Sequence, residues 1–337
     1  MGEDMKIKKW QLLKWKSREE EADLSAEAFV AVGKHAFRER KRLEKVILPS
    51  SVSAIKTEAF RGCRRLSDVQ LSTESNTGLA NGAFENCVRL QRIEPAHMII
   101  SIGARTFANC RMLREIELGG ELRRIGEEAF RGCAELNRIE LPPHLTSLGR
   151  AAFADCAELT SLQMSEGLGF LAPDMFRNCF SLREIVFSSD LREIPSGAFR
   201  GCAALTELTL PGHIERIRKK AFFDCSRLQS VELENGVVRI GAFAFASSPR
   251  LESVTVSRTL KRLGFGAFGL GKRKEKIVMY VYNEYMRRRM KQQLFLCGSL
   301  GCVRIELVGK SIEERKRERH RTELEQKSVH IMDEDVY

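Results

Sequence analysis

A phenylalanine returns at a nearly fixed interval through most of this chain: Phe37, Phe60, Phe84, Phe107, Phe130, Phe153, Phe176, Phe199, Phe222, Phe245 and Phe268. Nine of the ten intervals are 23 residues long, and the exception, Phe60 to Phe84, is 24. A longer phrase accompanies the aromatic, Ile-Gly-x-x-Ala-Phe-x-x-Cys-x-x-Leu-x-x-Ile-x-Leu, and it is almost whole from Ile125 to Leu141. So short a unit cannot bury its own apolar face and must stack on its neighbours, so a fixed period in this range marks a solenoid. One elongated array is expected rather than two globular domains, because growth along one axis escapes the size limit on a single core.

Within each unit, Leu-x-x-Ile-x-Leu alternates with the period of a short strand, as in Leu113 to Leu118 or Leu205 to Leu210. Pro49, Pro142 and Pro211 follow the strand's last Leu, where proline ends a ladder without removing an interior bond. An apolar pair such as Leu145 and Leu148 comes next, with a turn glycine at Gly103, Gly126, Gly149, Gly241 and Gly264. The Ala-Phe-x-x-Cys-x-x-Leu that follows predicts a short helical turn facing inward. Equivalent strands would stack in parallel at about 4.8 Å per rung. The extra residue of the 24-residue unit is expected in the polar loop Ser72 to Gly78.

These residues resemble the leucine-rich repeat of the BspA-like, or Treponema-type, family, from Val32 to about Met279. The resemblance implies an α/β leucine-rich repeat solenoid with a parallel concave β-sheet, here of about eleven 23-residue repeats. It also implies a non-enzymatic binding protein, of a kind often found on bacterial or protist surfaces. The expected organisation is an N-terminal cap (1–31), the array (32–276), a C-terminal cap (277–309) and a charged tail (310–337). The first segment carries both tryptophans and a partial repeat, Leu24 to Phe29; a membrane-surface amphipathic segment is its competing reading. Beyond Phe268, Ile277 to Tyr282 reads as a strand, Glu284 to Leu296 as a basic helix and Cys302 to Val308 as a strand. The tail reads either as a solvated helix with mixed-sign pairs or as disorder.

Charge narrows the partners. The formal net charge is +11, and the stretch Lys272 to Lys291 alone holds eight Lys or Arg against Glu275 and Glu284, which leaves +6. No stretch approaches the roughly 20 apolar residues that cross a bilayer, and lysines interrupt any apolar run near the start. A cytoplasmic, reducing location is expected, with a cell-surface or secreted mature form as the alternative.

Eight of the ten cysteines, Cys63, Cys87, Cys110, Cys133, Cys156, Cys179, Cys202 and Cys225, stand three residues after the repeated Phe. Equivalent positions on successive rungs point the same way, so the sulfurs form a row that suits neither tetrahedral zinc nor normal disulfide geometry. Arg40 and Ser248 take this column at its ends. Gly264 to Gly269 and Gly266 to Lys272 spell nucleotide-loop patterns, but their residues are ordinary repeat positions, and Arg273 stands where Ser or Thr would bind magnesium. His144 and His213 share a column three rungs apart, too far for one metal. No catalytic grouping, metal or cofactor is expected.

What remains is surface. The outward strand positions are charged rung after rung, and the expected protein-binding residues are Arg92, Glu94, Glu115, Glu117, Arg138, Glu140, Glu184 and Glu207. A separate column, Arg38, Arg61, Arg131, Arg177 and Arg200, makes a basic lateral side. The alternative function is binding of nucleic acid or an anionic surface by Lys272, Arg273, Lys274, Arg287, Arg288, Arg289 and Lys291.

Overall fold

The structure is a computed structural model that describes residues 20–270 and 275–308, together with the backbone of 6–7. Parallel sheets stack as a solenoid of about 12 turns with little helix. Most turns contribute to two sheet faces, where the repeat pattern had predicted one. The first face comes from Leu-x-x-Ile-x-Leu and runs in three segments: from Glu21–Asp23 to Arg92–Glu94, then Ser161–Gln163 with Glu184–Val186, then from Glu207–Leu210 to Val303–Leu307. The second face comes from two-to-four-residue strands just before the turn glycine. It forms one sheet ending at Ser147–Leu148 and another from Glu193–Ile194 to Arg262–Leu263.

Two left-handed positions per turn bend the chain around its third side. From Phe37 to Phe245, the residues two before and two after the repeated aromatic all have φ between 52° and 76°. Gly, Asn and Asp reach this region at least cost, and they fill most of the later column: Gly62, Asn86, Asn109, Gly132, Asp155, Asn178, Gly201 and Asp224. The segment between is a run of tight turns rather than the helix expected: Cys63 N–H donates to Phe60 O and Arg61 N–H to Glu58 O. These turns are tied along the axis as well, since Phe60 N–H donates to Ala83 O and Phe84 N–H to Thr106 O.

The core is a set of columns. All eleven repeated Phe are buried. Their rings stack in ten successive pairs with centroids from 4.8 Å (Phe37 and Phe60) to 5.8 Å (Phe245 and Phe268). Beside them each of the eight column thiols donates to the carbonyl of the preceding turn's Phe, from Cys63 to Phe37 O at 2.9 Å to Cys225 to Phe199 O at 3.5 Å. The extra residue of the long unit sits where expected. Ile55 pairs with Leu79, whereas Leu48 N–H donates to Gln70 O just before Leu71, so the surplus lies between Leu71 and Leu79.

At the C-terminal end, Ile277–Val281 and Val303–Leu307 extend the first face, and α1 (Glu284–Leu296), the one α-helix among the described residues, crosses between them. The Asn283 side chain caps α1 by accepting from Met286 N–H at 2.9 Å, and Met286, Met290 and Leu294 turn inward. The helix sits beside the last strand of the second face, where Gln293 Oε1 accepts from Leu263 N–H at 3.3 Å.

Candidate functional site

The first face presents the outward positions singled out by the repeat. Strand alternation buries Ile93, Ile116, Ile139 and Leu208 and turns their neighbours to solvent. Arg92, Glu94, Glu115, Glu117, Arg138, Glu140, Glu184 and Glu207 are all exposed. Two pairs organise the cationic members. Arg92 Nε lies 2.7 Å from Asp68 Oδ1, and Arg138 pairs with Glu140 on its own rung. Burial pushes the Asp68 carboxyl up, but the Ser67 hydroxyl and Arg92 more than offset it and leave it below its ordinary range. Glu94, Glu115, Glu117, Glu184 and Glu207 have no cationic partner among the described residues, which keeps this face acidic.

In the middle of this face the structure corrects the expectation of a continuous sheet. Leu113 to Leu118 is not a strand, nor is the equivalent stretch around Arg138, although the alternation of buried and exposed side chains persists. The break begins at Pro95. Leu24, Leu48 and Leu71 each donate N–H to the next turn's strand, at Ile47, Gln70 and Glu94, and Pro95 takes that column with no N–H to give. Glu115, Glu117, Arg138 and Glu140 therefore stand on extended chain whose ladder is interrupted, between two paired segments that hold their ends.

One outward residue of this face was passed over. Val186 lies beside Gln163 and two residues from Glu184, and it is 56% exposed. The signal was an apolar residue at the end of a run of Glu and Gln in this column, Gln70, Glu94, Glu117, Glu140 and Gln163. An exposed aliphatic among acids gives a protein partner an apolar contact.

The lateral arginine column is not free charge. Arg38 and Arg61 converge on Glu58 at 2.9 and 2.8 Å, Arg131 and Arg177 on Asp155 at 3.5 and 3.2 Å, and His35 also reaches Glu58 at 3.2 Å. Burial raises Glu58, and Arg61, Arg38 and His35 together bring it below the usual carboxylate range. Exposed pairs of this kind contribute about 0–1 kcal/mol each. They tie neighbouring turns and leave less positive charge than the column promised.

Of the basic C-terminal residues, Arg287, Arg288 and Lys291 are exposed on α1, Arg289 is half-buried, and Arg287 pairs with Glu284 at 3.4 Å. Lys272, Arg273 and Lys274 lie outside the described residues. The ten thiols are free and buried, and burial pushes Cys63 and Cys225 up to about 12 and the rest of the ladder higher. Among the described residues no three His, Cys, Asp or Glu converge on a metal position, and no helix is long and apolar enough to cross a membrane.

The family model of the BspA type leucine rich repeat region, six copies long, matches residues 30–160, 100–226, 146–272 and 192–306 in overlapping placements. The chain belongs to the BspA type leucine-rich repeat family. Solved leucine-rich repeat structures share its fold. One from Bacteroides ovatus is 18% identical with a TM-score of 0.55, over 86% of this chain and 92% of that one. The pneumococcal vaccine antigen PcpA is 20% identical with a TM-score of 0.54, over 83% of this chain and 72% of that one. No curated protein matches this BspA type chain.

Proposed function

We propose that this protein is a non-catalytic scaffold that binds another protein through its first sheet face, with Arg92, Glu94, Glu115, Glu117, Arg138, Glu140, Glu184 and Glu207 as contacts. The observation that carries this reading is the uniform exposure of those eight residues along one face of an otherwise monotonous coil. Parallel rungs with long side chains make an extended surface, and the unpaired acids call for a partner with a basic surface of its own. Val186 supplies an apolar contact within it. Residues 1–31 and 277–309 act as caps in this reading, and 310–337 as a tail. A reducing compartment such as the cytoplasm fits the eight thiols, each bonded to a carbonyl rather than to another sulfur.

The test is affinity capture from the source organism's lysate with the wild-type chain and with Glu115→Lys/Glu117→Lys/Glu140→Lys in parallel. A protein recovered by the first and lost from the second is the expected result. Equal recovery by both would rule out the first face.

A further inference from the structure

The second sheet face carries an arginine ladder that the repeat does not require. In its C-terminal sheet Arg216 pairs in register with Arg239, and Arg239 with Arg262. All three are exposed, each followed by a buried Ile or Leu, so three guanidinium groups project from one side of three consecutive rungs about 4.8 Å apart. Like charges directly opposite on adjacent strands are destabilising. Glu193 relieves one end only, lying 3.9 Å from Arg216 and 2.5 Å from Arg218. Arg239 and Arg262 have no acidic partner among the described residues. Exposed Lys261 and Arg192 add charge in the neighbouring column, where Glu215 is the acid.

Two further features shape the strip. Gly241 and Gly264 follow two residues after Arg239 and Arg262, and a Cβ on either would lie 2.5 or 2.3 Å from backbone of the preceding turn. That column is bare beside Arg239 and Arg262 and holds Arg218 beside Arg216. On α1, Gln293 is bonded to Leu263 beside this strip, and Arg289 lies one helical turn before it.

We propose that this face, Arg216, Arg239 and Arg262 with Lys261, docks the sugar-phosphate backbone of double-stranded nucleic acid. Guanidinium forks suit phosphate oxygens, and a duplex offers the charge density of about one per 1.7 Å of axis that such a row can neutralise. A protein partner would need apolar anchors at the centre of the contact, and the strip has arginines and glycines there. Single strands need stacking platforms along the groove, and the strands that carry the three arginines hold no aromatic, with Phe265 at their margin. Recognition is then of backbone charge without base sequence.

The experiment measures anisotropy of a short labelled DNA duplex of mixed sequence against salt, with the wild-type chain and Arg216→Ala/Arg239→Ala/Arg262→Ala. Each phosphate contact contributes about 0.9 to the slope of log K against log salt, so the triple variant should lose about 2.7 from it. Between about 50 and 200 mM salt, wild-type affinity should fall about 40-fold more than the variant's. The triple Arg→Lys variant should recover the slope, since it restores charge. Arg287→Ala/Arg288→Ala, toward the N-terminal end of α1 and away from Gln293, should keep it. Absence of duplex binding, an unchanged slope in the triple alanine variant, or loss confined to the α1 variant would each overturn the proposal. So would displacement of the duplex by polyglutamate or heparin at lower charge concentration than by unlabelled duplex. Unfolding of each variant by urea, expected at the wild-type midpoint, shows that binding and not folding was changed.

Discussion

The two ends of the second sheet face share one inner lining and differ outside. Toward the N-terminus the rungs pair Ala31, Ala54, Gly78 and Ser101 through the same register that carries Arg216, Arg239 and Arg262 toward the C-terminus. The next residue inward is buried in both: Val32, Ile55, Leu79 and Ile102 at one end, Ile217, Ile240 and Leu263 at the other. The coil accepts a methyl, a hydrogen or a guanidinium at the same outward position. Inward columns therefore hold the fold, and outward columns are left to whatever the surface meets. The first face teaches the same lesson, since Glu115, Glu117, Arg138 and Glu140 keep their exposure where the ladder beneath them is interrupted.

That contrast breaks most readily at the centre of the Phe stack. Phe153→Ala should cost about 3–5 kcal/mol by urea unfolding, because the emptied site lies between two stacked rings and cannot collapse without moving both. A loss below about 1 kcal/mol would mean that the inward column does not hold the coil. Next in size is Gly264→Ala, whose Cβ would meet the Ala242 backbone nitrogen at 2.3 Å and push two turns apart. An expected cost of about 1–3 kcal/mol follows from overpacking. Equal stability would show the turns to be looser than drawn.

The thiol ladder sharpens the contrast through pH. Burial raises the folded pKa of these thiols, to about 12 at Cys63 and Cys225, against an unfolded value of about 8.5. A raised folded value gives stability that is complete below the unfolded pKa and is lost as pH climbs toward the folded one. The urea midpoint should thus fall between about pH 8 and 10, and Cys156→Ala, less stable at neutral pH, should lose less over that interval. A parallel fall in both would assign the pH response to other groups.

Smaller effects come from the column ends and the outside. Ser248 takes the cysteine column in the tenth unit, and its buried hydroxyl has no hydrogen-bond partner among the described residues. Ser248→Cys should stabilise by about 1 kcal/mol by giving the site a group that belongs there; a loss would show that the hydroxyl is satisfied. Outward exchanges, Arg239→Ala at one end and Ala54→Arg at the other, should each stay within about 0.5 kcal/mol. A larger change at either would tie the outside to the fold after all.

Much of the fold could be read directly from the chain. Phe and Cys at fixed spacing gave the columns, and the limits read for α1 and the strands beside it match those observed to within a residue or two. The second sheet was not read, because its strands are two residues long in most turns and too short to show alternation. The left-handed points were written as Asn, Gly and Asp two residues after Phe, but Glu39 and Ser247 in the same column blur the pattern. Outward charge was legible on the first face, where it recurs on most rungs. It was missed on the second, where arginine stands singly at Arg124 and recurs on successive rungs only at Arg216, Arg239 and Arg262, so comparison across the whole array averages it away. Pairing distances, as between Arg61 and Glu58, depend on which rungs sit side by side and on rotamers that no repeat pattern states.

The separation of faces can be tested in one crossed measurement: protein capture and duplex binding by the wild-type chain, by Glu115→Lys/Glu117→Lys/Glu140→Lys and by Arg216→Ala/Arg239→Ala/Arg262→Ala, with urea midpoints alongside. The account predicts that the first variant loses the protein and keeps or strengthens duplex binding, while the second loses the duplex and keeps the protein. Both should unfold where the wild type does. A variant that lost both ligands, or that unfolded early, would contradict it by showing that the outward columns are part of what holds the coil together.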